Sequence, residues 1–146
     1  MRLSKKGQYA VRAMVSLACH TNGAPVTLRD ISDEEDISLS YLEQLFAKLR
    51  RGDVVRSIKG PGGGYVLTRA PGDITVGEVI ELVEEGLNPV ACLDGDAAKC
   101  TRENRCATQR VWKGLGERIR DFLNSISIGE LSGEARELSR VGPGDN

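Results

Sequence analysis

The chain has 146 residues, 40% of them hydrophobic and 28% charged, with a formal net charge of −1. That length suits one domain with a modest core plus an appendage. Its longest apolar run, Val90-Ala91-Cys92-Leu93, is too short for a transmembrane helix or a signal-peptide core, so no membrane association and a cytoplasmic location are expected.

The near-neutral average hides an asymmetry. Residues 1–69 hold 11 Lys/Arg against 7 Asp/Glu, whereas residues 70–146 hold 9 against 14. The basic half gathers Lys5, Lys6, Arg12, Lys48, Arg50, Arg51, Arg56 and Lys59, an electrostatic footprint suited to a polyanion.

In chain order, Lys5 to Cys19 predicts a helix whose apolar stripe is Tyr9, Ala10, Ala13, Met14, Leu17 and Ala18. Asn22-Gly23-Ala24-Pro25 ends it, and Thr27 with Asp30 starts a short second helix at capping spacing. A third helix begins near Ser38–Ser40, with Ser40 and Glu43 as the capping pair, and runs to Arg51. Its inner face is Leu42, Leu45, Phe46 and Leu49. Its outer face carries Tyr41, Glu43, Gln44, Ala47, Lys48, Arg50 and Arg51. Val54–Ile58 and Tyr65–Thr68 read as strands joined by the glycine loop Lys59-Gly60-Pro61-Gly62-Gly63-Gly64. A docked helix followed by a basic-tipped hairpin is the layout of a winged helix-turn-helix that grips duplex DNA.

Pro71-Gly72-Asp73 breaks the chain, and Thr75 with Glu78 starts a fourth helix reaching about Glu85. Residues 86–107 read as irregular. From Thr108 a longer helix follows with an apolar seam of Val111, Leu115, Ile119, Phe122 and Ile126. Such a seam needs a partner surface, either the helix's own domain or the same helix of a second subunit. The second is favoured, because the 27–69 module already has a core. A two-fold dimer would present two reading helices to successive major grooves of a roughly palindromic operator. Ser127 with Glu130 suggests one more short turn, and residues 133–146 a disordered tail.

The expected architecture is therefore mainly α with a small β-hairpin wing. A winged helix-turn-helix domain (1–70) precedes a linker helix with a cysteine loop (71–107) and a dimerisation helix (108–132). Within the DNA-reading part, Glu43 suits a cytosine amino group and Gln44 an adenine. Ser38, Ser40 and Tyr41 have hydroxyls suited to phosphates, and Arg50 and Arg51 meet the backbone. The wing glycines such as Gly60 allow close approach to the sugar–phosphate edge, and Lys59 enters or flanks the minor groove. GPGGG is not a P-loop, since it lacks the GK[ST] ending and a following helix. No acid–base pair or positioned nucleophile supports an enzyme.

Cys92, Cys100 and Cys106 form C-x7-C-x5-C between two helices, while Cys19 sits on the first helix as a small buried hydrophobe. Three thiolates on one loop of a cytosolic chain favour zinc or an iron–sulfur cluster, with one ligand missing; unliganded redox thiols are the alternative. The lone His20 reads as a surface residue.

MRLSKKGQYAVRAM, ISLSYLEQLFAKLRR, GPGGGYVL, VGEVIE, the three-cysteine loop and FLNSISIGEL resemble the winged-helix transcription regulators of the IscR, NsrR and CymR family. The resemblance covers residues 1 to about 132. It implies a homodimeric DNA-binding regulator with a crossed dimerisation helix. It also implies a two-iron two-sulfur cluster on Cys92, Cys100 and Cys106, donated by the cluster-assembly machinery, and a base-reading role for Glu43. The position where such proteins carry a fourth, histidine ligand is Gln109 here, and the alternative acidic position is Gln8. Gln109, Glu103, Asp94, Asp96 or a small exogenous molecule are the candidates for that place. The function implied is repression of iron–sulfur assembly genes under cluster control. The alternatives are a nitric-oxide-sensing repressor, or a cluster-bearing interaction or electron-transfer module.

Overall fold

The computed structural model describes residues 3–20, 23–84, 86–87, 89 and 106–141. Helix α1 spans Lys5–Cys19, α2 Leu28–Glu35 and α3 Leu39–Arg51. The hairpin β1 (Val55–Ile58) and β2 (Gly64–Leu67) follows, then a 3-10 turn at Pro71–Asp73. Helices α4 (Val76–Val83), α5 (Gln109–Asn124) and α6 (Ile128–Arg140) complete the described elements. The mainly helical class with one small hairpin is as the sequence implied.

Four of these helices start on a hydroxyl cap. Thr27 accepts from the Asp30 amide, Thr75 from that of Glu78 and Ser127 from that of Glu130, all at the anticipated pairs. In α3 the cap is Ser38, whose side chain accepts from the Tyr41 amide at 3.3 Å. Ser40 lies inside the helix, so the Ser40–Glu43 capping pair is incorrect. Ser38 takes that place because its extended backbone leaves its oxygen facing the amides of the first turn.

The antiparallel hairpin pairs Val55 with Leu67, Arg56 with Val66, Ser57 with Tyr65 and Ile58 with Gly64. Tyr65 is also bonded on its other side: the Val26 amide donates to its carbonyl at 3.0 Å, and its own amide donates to Val26 at 2.8 Å. The wing is thereby stitched to the segment between α1 and α2. Gly64 permits this approach, since a Cβ there would lie 2.5 Å from the Val26 carbonyl oxygen.

One apolar core runs through these elements. It holds Ala10, Ala13, Met14, Leu17, Ile31, Leu42, Phe46, Leu49 and Val55 from the first part of the chain. Ile74, Val76, Val79, Ile80, Val83 and Ile128 from beyond residue 70 belong to the same cluster. The 27–69 module therefore does not have a core of its own. α1 is the central rod, packed by α6 on one flank and α4 on another.

Residues 133–140 are helical, contrary to the expected short turn and tail. α6 is held because Ser132 is buried, the Arg136 guanidinium donates to the Ala18 carbonyl at 3.0 Å, and Ile128 is wholly enclosed. An antiparallel bridge between Thr75 and Ser127 anchors its start, with Val76 donating to Ile126 and Ile128 to Ile74 at 2.9 and 2.8 Å. Residues 142–146 lie outside the described residues.

Candidate nucleic-acid interface and cysteine segment

In α3, the spacing of Leu42, Leu45, Phe46 and Leu49 puts one face of the helix into the core, as expected. The opposite face is therefore fixed in space. Ser40, the adjacent pair Glu43 and Gln44, Ala47 and Arg51 recur at steps of three or four residues and share that outer stripe. Among the described residues Glu43 and Gln44 have no side-chain partner, which leaves their donors and acceptors available outward. Arg51 folds back, its Nε donating to the Ala47 carbonyl at 3.3 Å, and Arg50 is exposed.

Two residues depart from this stripe. Tyr41 is half-buried and packs edge-on to Tyr9, ring centroids 5.7 Å apart, with the Arg12 guanidinium 5.3 Å over the Tyr9 ring. Burial pushes its phenol above the ordinary value of 10.0, with Tyr9 and the Glu84 carboxylate adding to the shift. It is a hydroxyl donor at neutral pH. Lys48 is also half-buried, and its Nζ lies 3.5 Å from the Val83 carbonyl oxygen at the end of α4. A cation at a helix C-terminus is favourable, because the last carbonyls there have no partners within the helix.

The wing tip, Lys59-Gly60-Pro61-Gly62, is exposed, and Gly60 and Gly62 take left-handed φ of +96° and +75°. The Gly63 amide donates to the Gly60 carbonyl at 2.9 Å, closing the loop on itself. Phe46 of α3 and Tyr65 of β2 meet edge-to-face at 4.9 Å, so helix and wing are held in one arrangement.

Of the three loop cysteines, Cys92 and Cys100 lie outside the described residues, as do Asp94, Asp96 and Glu103. Cys106 is half-buried just before α5, its Sγ 3.1 Å from the Thr108 hydroxyl, and its carbonyl accepts from the Gln109 amide at 3.3 Å. Cys106 and Gln109 thus stand one helical turn apart. A thiolate donor there fits iron or zinc; a glutamine amide is a weak partner for either. Gln8 is exposed on the first turn of α1 and donates to the Leu3 carbonyl.

Cys19 is half-buried rather than enclosed, its Sγ 3.7 Å from the Ser132 carbonyl. Burial raises its thiol pKa, partly offset by Arg136 and reinforced by Glu34 and Glu35. His20 is exposed and pairs with Glu34 at 2.9 Å, in keeping with a surface role.

Two relationships escaped the sequence reading. Tyr9 was assignable only to the core stripe, yet it is the platform for Tyr41. Glu84, at the end of α4, accepts from the Ser4 hydroxyl and, at 3.1 Å, from the Gly7 amide, so its carboxylate caps the N-terminus of α1. The one signal was Gly7, since a Cβ there would stand 2.8 Å from that carboxylate.

The α5 seam divides in two. Val111, Leu115 and Phe122 are exposed, Phe122 by 64% and Val111 by 54%, whereas Ile126 packs on the core beside Leu123 and Ile119 is half-buried. No helix among the described residues is long and apolar enough to cross a membrane.

Comparison with known proteins agrees with this geometry. The chain is 47% identical over 131 residues to the HTH-type transcriptional regulator IscR of Pectobacterium carotovorum, covering 90% of this chain and 79% of that protein. It is 49% identical over the same length to IscR of Erwinia tasmaniensis, covering 90% and 78%. Among solved structures it resembles T. potens IscR, with a TM-score of 0.75 and 35% identity over 94% of this chain and 90% of that one. It also resembles CymR, the global cysteine regulator of B. subtilis, with a TM-score of 0.76 and 30% identity over 92% and 98%. The exposed helix and wing are thus those of a DNA-binding transcription regulator, not of an enzyme. Residues 3–134 match the Rrf2 family, described as iron-dependent transcriptional regulators, and the chain belongs to that family.

Proposed function

We propose that this regulator binds a roughly palindromic operator as a homodimer and that an iron–sulfur cluster on Cys92, Cys100 and Cys106 sets the strength of that binding. The observation that carries the DNA reading is the exposed pair Glu43 and Gln44, without side-chain partners among the described residues, on the outer face of a helix packed on the wing through the Phe46–Tyr65 contact. Glu43 and Gln44 address base edges. Ser38, Ser40 and Tyr41 donate to phosphates at the helix start, joined by Arg50 and Arg51 at its end. Lys59 and Gly60 meet the sugar–phosphate edge from the wing. Lys48 has only its remaining N–H donors for this purpose, since it faces α4.

A second copy of the chain covers Val111, Leu115 and Phe122 of α5. Arg110, Lys113, Glu117, Arg118 and Asp121 mix both signs around this seam, which suits a self-complementary two-fold contact. The three thiolates supply iron ligands, and a two-iron two-sulfur cluster loaded by the assembly machinery is the form proposed. With Gln109 beside Cys106, the fourth place is left to a weak or exchangeable ligand. Exposed, labile iron suits a sensor that represses cluster-assembly genes when clusters are plentiful. A nitric-oxide response is the second reading, favoured by the same weak fourth position.

The test is a binding titration on the protein's own upstream region, loaded and cluster-free, across a range of salt. Phosphate contacts release counterions, so affinity should fall steeply with salt. Glu43→Ala should relax base preference by about 1–3 kcal/mol, while Lys59→Ala should weaken every sequence alike. Anaerobic protein should carry visible colour that Cys92→Ala, Cys100→Ala or Cys106→Ala removes. Equal effects of Glu43→Ala and Lys59→Ala, or colour that survives all three cysteine changes, would contradict the reading.

A further inference from the structure

We infer that the C-terminal end of α4, Leu82 and Val83 with the following residue Glu84, is the lever connecting the cysteine segment to the DNA-reading helix, with Glu84 and Lys48 as its positioning residues. This deepens the cluster-controlled reading and rests on it. Glu84 lies eight residues before Cys92, so this turn is the last described helical segment before the three cysteines.

Three separate contacts meet there. Lys48 of α3 places its ammonium 3.5 Å from the Val83 carbonyl. Gly52, at the end of α3, faces Leu82 so closely that a Cβ would lie 2.3 Å from its Cδ2. Glu84 takes hydrogen bonds from the Ser4 hydroxyl and the Gly7 amide of α1. That carboxylate also contributes to the raised pKa of the Tyr41 phenol on the first turn of α3. The turn therefore touches the C-terminal end of the reading helix directly. It reaches the N-terminal end through α1, whose Tyr9 packs on Tyr41.

Each contact is conditional on the position of the turn. A carboxylate at a helix N-terminus and an ammonium at a helix C-terminus both gain from backbone dipoles that weaken within a turn's distance. A small displacement of α4's end would forfeit both together and release α3 to shift against the wing. Two sites linked through one such element typically change each other's affinity about 5- to 150-fold.

Full-length protein, cluster-loaded and cluster-free, is titrated with its own promoter duplex, and the ratio of the two affinities is the readout. Glu84→Gln keeps the shape and removes the charge; Lys48→Met keeps the stem and removes the ammonium. Each should cut the ratio at least threefold while iron and sulfide per chain stay at the wild-type value. The double variant should lose no more than the larger single change, because both act on one turn. Amide exchange at residues 39–51 in the cluster-free protein should quicken in both variants.

Variants that shift both affinities by one factor, leaving the ratio within twofold, would overturn the lever. So would unchanged exchange across 39–51. A wild-type ratio of one would instead remove cluster control itself, and the exchange data would then decide whether α4 and α3 are linked at all.

Discussion

Phe46 and Tyr65 meet edge-to-face with ring centroids 4.9 Å apart, and this aromatic contact helps hold α3 against β2 of the wing. Phe46 is wholly buried and Tyr65 half-buried, so the first ring is core and the second is the hinge pin of the hairpin. Phe46→Ala should cost about 3–5 kcal/mol in urea unfolding, the usual range for emptying an aromatic core site. Tyr65→Leu removes only the aromatic pairing, about 0.5–1.5 kcal/mol beyond area. It should nevertheless weaken operator binding more than stability, by loosening the wing. A Tyr65→Leu protein with wild-type affinity would show that the wing needs no such anchor.

Gly64 is the second determinant of wing placement. With φ at +154° and the Val26 carbonyl where a Cβ would go, Gly64→Ala must part Val26 from Tyr65 and lose their paired hydrogen bonds. A loss of about 1–3 kcal/mol is expected, the cost of inserting a methyl group where there is no room. Gly62→Ala meets open space and suffers only its left-handed φ of +75°, about 1–2 kcal/mol. Thermal melts of the two variants, with DNA affinity measured alongside, check the order: Gly64→Ala should reduce affinity further.

Phe122 is the most exposed aromatic residue described, and Leu115 lies two turns before it on α5. If a second copy covers this seam, Phe122→Glu should yield a single-chain species in sedimentation and abolish tight operator binding. Stability of each chain should change little, since the side chain contributes little to the core. A dimer that persists in both Phe122→Glu and Leu115→Glu would place the contact elsewhere.

The phenol of Tyr41 makes stability depend on alkaline pH. Its pKa is raised in the folded chain above 10.0, first by burial, then by Tyr9 and Glu84. The folded form keeps a proton that the unfolded form has released. The associated stability is therefore complete below pH 10.0 and is lost as pH rises through the folded value. Tyr41→Phe should flatten the alkaline limb of a plot of unfolding free energy against pH. Superimposable limbs would mean the phenol ionises as it does in water.

The local elements were legible because they rest on neighbours in sequence. α1 needed only its own apolar stripe, and Thr27 and Thr75 announced helices through acidic partners three residues on, while Ser127 with Glu130 signalled only a turn where α6 begins. The outer stripe of α3 followed from the burial of Leu42, Leu45, Phe46 and Leu49, since one face fixes the other. Ser38 displaced Ser40 as the cap because both have the hydroxyl, and only backbone geometry separates them.

What the amino-acid order determined was helices α1 to α5, the glycine-tipped hairpin and the residue types available to touch DNA, whereas the length of α6 was not legible. Tertiary structure alone decided that α6 lies along α1, that Lys48 turns to Val83, and that Glu84 caps α1 through Ser4, eighty residues earlier in the chain. The reason is range. Helix periodicity and capping are written within a few residues, whereas a carboxylate's choice of helix end depends on how whole elements pack once the apolar core has closed.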